Sequence, residues 1–308
     1  LNNGMEIPAV GFGCYNAKGG DNYQILSDAI KSGYTLFDTA SFYETERDLG
    51  KAIKESGINR KDLFVQSKLW IDEMGYDNAK AAIERTLSRL NIDYLDVYLI
   101  HWPRQNTETS TDEWKKLQLD TYKALEEMVD EGLIKAIGLS NFLPHHLNNI
   151  LTNTNIKPVV CQLEYHLGYT QAIAVGFAKL NDIYVQAWSP LGRGDLFEEP
   201  MFKKMADKYN VSVATLALRF IYQNGVIPLP KATSPERQKQ NLDIFDFTIS
   251  DDDFYYLACL PQNRWLGEHP DINIPKKKSN FNQSMYDMFG VGSDDNEELE
   301  DVQETAVP

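Results

Sequence analysis

Four residues that can handle a proton stand at, or just after, the ends of three short apolar runs. They are Asp38 at the end of 35–38, Tyr43 five residues later, Lys68 at the end of 63–68, and His101 at the end of 97–101. If these runs are parallel strands of one barrel, their C-terminal ends open onto a single face, where catalytic groups gather. The sequence therefore predicts that the four side chains meet in space.

These residue types together predict proton donation to a carbonyl oxygen, the chemistry of a carbonyl reductase. A tyrosine has an ordinary pKa of about 10, which is too high for easy proton donation at neutral pH. A cationic lysine within hydrogen-bond reach favours the phenolate, so Lys68 is expected to lower the pKa of Tyr43. Asp38 would keep the enclosed Lys68 charged, and His101 would orient and polarise the same carbonyl.

Each of these residues, taken alone, has a plainer interpretation. Asp38 could cap a helix, Tyr43 could be a half-buried surface aromatic, and His101 could be a hydrogen-bonded core histidine. Their occurrence together, in this order and at the ends of strand-like runs, favours the catalytic interpretation.

The chain alternates short β-branched runs with longer amphipathic stretches, a pattern that predicts βαβ units and a parallel sheet. A hairpin is predicted from Met5 to Phe12, before the barrel. The predicted strands are 35–38, 63–68, 97–101, 134–139, 159–163, 183–187, 225–229 and 244–247, and the predicted helices include 21–31, 77–90, 114–131, 211–222 and 250–260. This count predicts a closed (β/α)8 TIM barrel. No GxGxxG follows the first strand, which argues against a doubly wound dinucleotide domain.

The barrel, with its cofactor and active site, is expected to occupy residues 1–275. The segment after Pro261 is aromatic and interrupted by prolines. It predicts a loop over the barrel mouth, or else a satellite packed on a helix. Residues 276–308 are expected to form an extension, and its acidic end, 293–308, is expected to be flexible.

Composition excludes several classes of partner and site. The net charge is −15, with seven acidic residues after Gly292, which argues against nucleic acid and anionic membranes as partners. No apolar run approaches the roughly 18 residues that span a bilayer. The three cysteines are widely separated and the five histidines are dispersed, so no metal site is predicted. A cytoplasmic protein is expected, acting on a small molecule as a monomer or weak homo-oligomer.

Longer motifs surround the four residues and continue along most of the chain. They are Phe37-Asp38-Thr39-Ala40 with Tyr43 and Glu46, Ser67-Lys68-Leu69-Trp70, Leu99-Ile100-His101-Trp102-Pro103, Ile137-Gly138-Leu139-Ser140-Asn141-Phe142, Gln162-Leu163-Glu164, Trp188-Ser189-Pro190-Leu191-Gly192, and Pro230-Lys231 leading to Pro235-Glu236-Arg237 and Asn241. Over about residues 1–275, the chain closely resembles the aldo-keto reductase family. Within it, the chain resembles bacterial-type diketogluconate and methylglyoxal reductases.

The resemblance implies a role for each motif. Tyr43 would be the general acid, Lys68 and Asp38 its tuning pair, and His101 the residue that orients the carbonyl. A nicotinamide cofactor would lie across the barrel mouth and pass a hydride from C4 of its ring to the carbonyl carbon. The implied cofactor-binding residues are Ser140, Asn141 and Gln162 at the carboxamide, Trp188 under the ring, Ser189 and Leu191 along the pyrophosphate, and Lys231, Thr233, Arg237, Gln240 and Asn241 towards the adenosine end.

The resemblance also implies NADPH rather than NADH. Lys231 and Arg237 would clamp the doubly charged 2′-phosphate, which favours a guanidinium and an ammonium. The alternative is two solvated cations near a helix start. Ala232 stands where many relatives have a hydroxyl residue, and Gln240 replaces a common glutamate, so the preference for NADPH is expected to be blunted.

Substrate residues are less specific. Tyr15, Trp70 and Trp102 match positions that line the pocket and, with His101, would form an aromatic wall, although Trp102 is expected to pack in the core. The stretch 267–271 resembles members that reduce small keto-sugars and methylglyoxal-like carbonyls.

Two other functions are compatible with a barrel. One is a non-catalytic NADP(H)-binding regulatory or structural subunit, since fold alone does not determine activity. The other is a glycosidase that uses Asp38 and Glu164, which leaves Lys68 beside the tyrosine unexplained.

Overall fold

The computed structural model describes residues 1–15, 19–105 and 110–272, and within them the chain forms eight parallel strands paired in chain order. The strands are β1 (Phe12–Gly13), β2 (Leu36–Asp38), β3 (Phe64–Leu69), β4 (Val97–Ile100), β5 (Ile137–Ser140), β6 (Val160–Glu164), β7 (Tyr184–Trp188) and β8 (Val226–Pro228). Two backbone hydrogen bonds join the ends of the sheet, from Gly11 N to Pro228 O at 3.0 Å and from Gly13 N to Pro230 O at 3.0 Å. The sheet therefore closes on itself, and the predicted (β/α)8 barrel is confirmed.

Helices connect the strands. They are α1 (Asn22–Lys31), α2 (Glu46–Ser56), α3 (Tyr76–Leu90), α4 (Thr111–Asp130), α5 (Pro144–Asn153), α6 (Ala172–Leu180), α7 (Pro200–Lys208), α8 (Val213–Gln223), α9 (Pro235–Gln240) and α10 (Asp251–Ala258). Asp21, Ser110, Ser212 and Ser250 each accept a backbone N–H at the start of a helix, which satisfies donors that the first turn leaves free. Gly57 ends α2 with φ 73°, the left-handed conformation that glycine adopts readily.

Alternate residues of each strand face the barrel interior. One buried apolar cluster consists of Leu36, Phe64, Val97, Leu99, Ala136, Val159, Val160, Ile227 and Leu229. The chain neighbours Phe37, Val65 and Tyr98 instead belong to the larger cluster that includes the helices. Asp38 lies two residues after Leu36, and Gln66 lies two residues after Phe64. The same inward faces therefore change from apolar to polar towards the C-terminal ends of the strands.

The predicted N-terminal hairpin is wrong. Residues 1–11 contain no strand, and Phe12–Gly13 is the first strand of the barrel itself. The physical reason is a close approach, because a Cβ on Gly11 would lie 2.6 Å from the side chains of Leu229 and Leu36. The backbone thus runs directly against β8 and β2, and the two-residue strand β1 is too short to give a periodic pattern in the sequence.

The predicted last strand, 244–247, is also wrong. It forms no strand, because the barrel closes by pairing of the chain at Gly11 and Gly13 with β8. Ile244 is nevertheless fully buried, and its carbonyl oxygen accepts a hydrogen bond from Nη1 of Arg219 at 2.9 Å. A side-chain donor from α8 therefore satisfies a backbone group that a neighbouring strand would otherwise have satisfied.

The segment 261–272 lies against the loops that follow β6 and β7. Its Arg264 N donates to Gly168 O at 3.3 Å, and its Leu266 N donates to Oε1 of Glu164 at 3.0 Å. Glu268 forms an ion pair with Arg193 at 2.6 Å. These contacts confirm the loop over the barrel mouth as far as residue 272. The predicted extension 276–308 lies outside the described residues, and the domain division near 275 stays a prediction.

Among the residues that the structure describes, no helix is at once as long and as apolar as a crossing of the bilayer demands. The longest, α4, carries charged residues along its length.

Candidate active site

Asp38 and Lys68 form a buried ion pair at the C-terminal end of the barrel. Asp38 ends β2, and Lys68 lies in the neighbouring strand β3 with none of its side chain exposed. The Lys68 ammonium lies 2.8 Å from Oδ2 of Asp38 and 3.0 Å from the carbonyl oxygen of Thr39. Burial lowers the pKa of Lys68, and the negative charge of Asp38 acts in the opposite direction.

Tyr43 is placed above this pair by the short turn Ser41–Tyr43 that follows β2. Its phenol oxygen lies 3.4 Å from the Lys68 ammonium, at the long end of hydrogen bonding. The predicted lowering of its pKa is not observed. Burial raises the pKa of Tyr43 well above its ordinary value, and the negative charge of Asp38 adds to the rise. A phenolate would be repelled by the carboxylate that holds the lysine, so Tyr43 is a protonated phenol in this structure.

His101 follows β4 directly and completes the group. Its ring makes T-shaped contacts with Trp70 at 4.9 Å and with Tyr43 at 5.5 Å between ring centroids. Burial lowers the pKa of His101 well below its ordinary value, and the nearby Lys68 charge lowers it further. Its Nδ1 is buried and has no hydrogen-bond partner in the described part of the chain. The site thus holds a neutral imidazole with one nitrogen available.

Three buried glutamines stand behind Asp38, and only one of them was predicted as a site residue. Gln66 and Gln162 donate to Oδ1 of Asp38 at 2.6 and 3.0 Å. Gln186 accepts from both of these side chains at 2.9 and 3.0 Å. Gln66 and Gln186 were missed because each lies within an apolar run. The sequence did contain a signal for both, because residues two apart on a strand point to the same face. Gln66 precedes Lys68 by two residues, and Gln186 precedes Trp188 by two.

The three residues predicted to hold a carboxamide lie on neighbouring strands: Ser140 ends β5, Asn141 follows it, and Gln162 lies within β6. Asn141 has a left-handed backbone (φ 62°), and its Nδ2 donates to His101 O at 3.0 Å and to Oγ of Ser140 at 3.2 Å. No described residue accepts a hydrogen bond from the Ser140 hydroxyl or donates one to Oε1 of Gln162. One donor and one acceptor therefore remain, which match the oxygen and the NH2 group of an amide.

Trp188, at the end of β7, is held by a hydrogen bond to a neighbouring side chain. Its indole N–H donates to Oδ1 of Asn141 at 2.8 Å, and the indole is partly exposed at the mouth. Ser189 follows with a left-handed backbone (φ 47°) and starts the turn that leads to Leu191 and Gly192. A flat aromatic face next to free amide-binding groups fits a nicotinamide ring and its carboxamide.

The residues predicted for the adenosine end follow β8. Thr233, Arg237 and Gln240 are exposed, and Lys231 is half-buried. Asn241 is not exposed in this way. It is buried, and its side chain forms a hydrogen bond with Tyr34, so it supports this region from inside.

Gln238 lies on the buried side of α9 and was not predicted. Its Nε2 donates to Ile25 O at 3.0 Å and to Ala232 O at 3.2 Å, and its Oε1 accepts from Ser32 at 3.2 Å. These bonds attach the short helix α9 to α1 and to the chain after β8.

The aromatic residues predicted for the substrate divide into two groups. Tyr15 is only partly buried, and its ring lies 4.8 Å from that of Tyr43. Trp70 stacks on Phe42 at 4.1 Å and is 2% exposed, and Trp102 is 4% exposed in the same cluster. The two tryptophans therefore pack behind the site, and Tyr15 is the one with exposed surface at the mouth.

Two further polar contacts join the C-terminal segment to this mouth. Arg193 binds Glu268, whose pKa is raised to about 7 by burial although Arg193 acts in the opposite direction. The second is formed by His145, His146 and Asp271, which meet closely enough to resemble a metal site. However, Leu143 N donates to Nδ1 of His146 at 3.2 Å. The neutral ring then carries its proton on Nε2, which lies 3.0 Å from Oδ1 of Asp271.

Comparison with known proteins agrees with this geometry. The model of the aldo/keto reductase family matches residues 9–260. Glyoxal reductase of Bacillus subtilis (strain 168) is 41% identical over 272 residues, covering 88% of this chain and 95% of that protein. The NADH-dependent D-xylose reductase of Candida parapsilosis is 37% identical, covering 89% and 96%. The crystal structure of a Bombyx mori aldo-keto reductase in complex with NADP has a TM-score of 0.78 at 31% identity, covering 85% and 92%. The chain belongs to the aldo/keto reductase family.

Proposed function

We propose that the protein reduces small aldehydes and ketones with NADPH, with Tyr43 as the proton donor. Family membership supports an oxidoreductase that acts on carbonyl compounds. The observation that carries the finer proposal is the continuous chain of contacts from Asp38 through Lys68 to Tyr43, with His101 at its side.

In this proposal, the bound cofactor supplies a hydride to the carbonyl carbon. The protein supplies the rest. Tyr43 donates its phenolic proton to the carbonyl oxygen, and the Lys68 ammonium stabilises the phenolate that remains. Neutral His101 donates one N–H to the same oxygen, which orients and polarises it. Tyr43, whose pKa is raised above the ordinary value, carries its proton at neutral pH before the substrate binds. Its donation then depends on the Lys68 ammonium, which stabilises the phenolate.

Ser140, Gln162 and Trp188 would hold the nicotinamide end of the cofactor. The free donor of Ser140 and the free acceptor of Gln162 suit its carboxamide, and the indole of Trp188 offers a face for its ring. Asn141 would orient Trp188 through their hydrogen bond. Ser189 and Leu191 would follow the pyrophosphate.

The preference for NADPH rests on two cations at the adenosine end. Lys231 lies in the stretch that joins β8 to α9, exposed Arg237 lies in the first turn of α9, and Thr233 comes between them in the chain. A pair of cations at this place would favour a 2′-phosphate. The relatives divide on this point, since one solved structure holds NADP and another relative is named as NADH-dependent. We therefore propose a preference, not an exclusive requirement.

For the substrate, we propose small carbonyls such as glyoxal and other α-dicarbonyls. The relative from Bacillus subtilis is named for glyoxal. Tyr15 lies beside Tyr43, and His101 is enclosed by Trp70, which leaves aromatic groups around the proton donor and favours compact substrates.

The experiment is to follow the loss of NADPH absorbance with methylglyoxal and glyoxal, and to repeat it with NADH. Many turnovers per molecule are expected, with a lower Kd for NADPH. The non-catalytic alternative predicts that the protein binds NADPH, detected by fluorescence quenching, but does not oxidise it with any of the carbonyl compounds tested. Equal affinity for NADPH and NADH would remove Lys231 and Arg237 from cofactor selection.

A further inference from the structure

Three glutamines and one aspartate form a hydrogen-bonded network in the middle of the barrel. Gln66 and Gln162 donate to Oδ1 of Asp38, and both also donate to Oε1 of Gln186. Gln186 Nε2 donates back to Oε1 of Gln66 at 2.9 Å. All four side chains are buried, and the three glutamines are at most 1% exposed. The network is therefore isolated from water.

The charge of Asp38 determines which way each amide points. An ionised carboxylate only accepts hydrogen bonds, so the NH2 groups of Gln66 and Gln162 must face it. Because those NH2 groups also point at Gln186, the oxygen of Gln186 must face them. The NH2 group of Gln186 then faces the oxygen of Gln66. If any one amide were flipped by 180°, an NH2 group would face another NH2 group or an oxygen would face another oxygen. The orientation of the whole network therefore follows from the charge of Asp38.

The strand register brings the network together from two sides of the barrel. Asp38 pairs with Gln66 across β2 and β3, and Gln162 pairs with Gln186 across β6 and β7. The two pairs belong to strands that are not neighbours in the sheet. Their side chains meet across the interior, at the level just below Lys68 and Tyr43.

We infer that Gln66 and Gln186 are positioning residues for the proton donor and for the cofactor amide. The inference rests on the proposed function of Asp38 and Gln162. Gln66 stabilises the ionised form of Asp38, and this form holds the Lys68 charge beneath Tyr43. Gln186 holds the amide of Gln162 so that its NH2 group stays on Asp38 and its oxygen is left for the carboxamide of the cofactor. One buried network thus couples the acid to the cofactor site.

The two residues make different contributions. Gln66 bonds to Asp38 directly and is linked to Gln162 only indirectly, through Asp38 and Gln186. Gln186 contacts Gln162 directly and reaches Asp38 only through the other two amides. Loss of Gln66 should therefore affect proton donation most, whereas loss of Gln186 should also affect cofactor binding.

The experiment compares Gln66→Met and Gln186→Met with Gln118→Met. Methionine keeps the volume and removes the amide. Gln118 is equally buried, but it bonds to Pro103 O and to Asn149 beside α4, away from Asp38. A fourth variant, Gln66→Asn, keeps an amide but withdraws it by one methylene, and it tests the same contact with a polar side chain.

With Gln66→Met and with Gln66→Asn, we expect kcat to fall about tenfold, because Asp38 loses a donor and holds the Lys68 ammonium less firmly beneath Tyr43. The Kd for NADPH should stay within about twofold of the parent. With Gln186→Met, kcat should fall in the same way, and the Kd should also rise about tenfold, the usual effect of losing one well-placed hydrogen bond. Gln118→Met should change neither quantity.

A readout that needs no turnover is the Kd for NADPH, measured by titration calorimetry. Values of kcat and Kd in the Gln66 and Gln186 variants that match those of Gln118→Met would overturn the inference. If the parent itself shows no turnover, the proposed function fails, but a Kd that rises in Gln186→Met and not in Gln66→Met still decides whether the network acts as inferred.

Discussion

Trp188 donates its indole N–H to the side-chain oxygen of Asn141 at 2.8 Å, and this bond joins the end of β7 to the loop after β5. Asn141 in turn donates to His101 O. The aromatic face predicted to carry the nicotinamide is thus connected, through one asparagine, to the backbone of the residue predicted to orient the carbonyl.

Trp188→Phe keeps an aromatic face but removes the donor to Asn141. We expect the Kd for NADPH to rise about fivefold to tenfold, because the ring loses its orientation and Asn141 loses a partner. Isothermal titration calorimetry measures this without relying on tryptophan fluorescence. The matched control is Trp114→Phe, which changes an indole of α4 that packs beside His146 of α5. An equal change in both variants would contradict an oriented Trp188.

Tyr43→Phe removes the phenolic proton and keeps the ring. Turnover should fall by about 10² to 10⁴, the range that general acid catalysis contributes, while the Kd for NADPH changes little. Tyr15→Phe is the control, since it removes a hydroxyl from the neighbouring ring and should lower turnover far less. Turnover of Tyr43→Phe close to the parent would remove Tyr43 from the mechanism.

Lys68→Met leaves the Asp38 charge buried without its cation. We expect the free energy of unfolding to fall by about 3–5 kcal/mol, as when one partner of a buried pair is removed. The double variant Asp38→Asn with Lys68→Met should recover part of that loss, because no unpaired charge remains. Urea unfolding of the parent, both single variants and the double variant gives the coupling energy. Additive losses would show that the ion pair contributes nothing to stability.

His101 makes the fold sensitive to acid. Its pKa in the folded protein lies well below the ordinary value of about 6.5. As pH falls below the ordinary value, His101 takes up a proton in the unfolded chain but not in the folded protein, so the free energy of unfolding decreases. Relative to parent, His101→Gln should lose less stability between about pH 7 and pH 5, with a slope difference of up to roughly 1.4 kcal/mol per pH unit. Parallel curves from urea unfolding would mean that His101 is not held neutral.

Glu268 should have the opposite dependence. Burial raises its pKa to about 7, above the ordinary value of a glutamate. Between those two values the folded protein binds the proton and the unfolded chain does not, so this group adds stability as pH falls. Glu268→Gln removes the titration. The parent should therefore gain stability relative to Glu268→Gln as pH is lowered from about 7.5 to about 4.5, again by urea unfolding. A constant difference across this range would contradict the raised pKa.

The sequence predicted the barrel and the meeting of the four polar residues for the same reason. Alternating apolar residues such as Leu36 and Phe64 indicate which face of each strand points inward, and Asp38 and Lys68 continue those faces. The strand β1 escaped prediction because its path is determined by contact of Gly11 with Leu229 and Leu36, which no local pattern records.

The pKa of Tyr43 was predicted in the wrong direction for a different reason. The sequence identifies Lys68 as a neighbour, but it does not give the depth at which the phenol lies or the position of Asp38 behind the lysine. Those two quantities outweigh the ammonium. Gln66 and Gln186 were missed because a single polar residue in an apolar run has no meaning until its partners across the barrel are known.

The anchoring of α9 by Gln238 has a consequence for redesign. All three hydrogen bonds of this side chain lie on the inner surface of the helix, whereas Thr233, Arg237 and Gln240 project outward. Nucleotide preference could therefore be changed by substituting the outer residues, while the inner hydrogen bonds keep α9 in place.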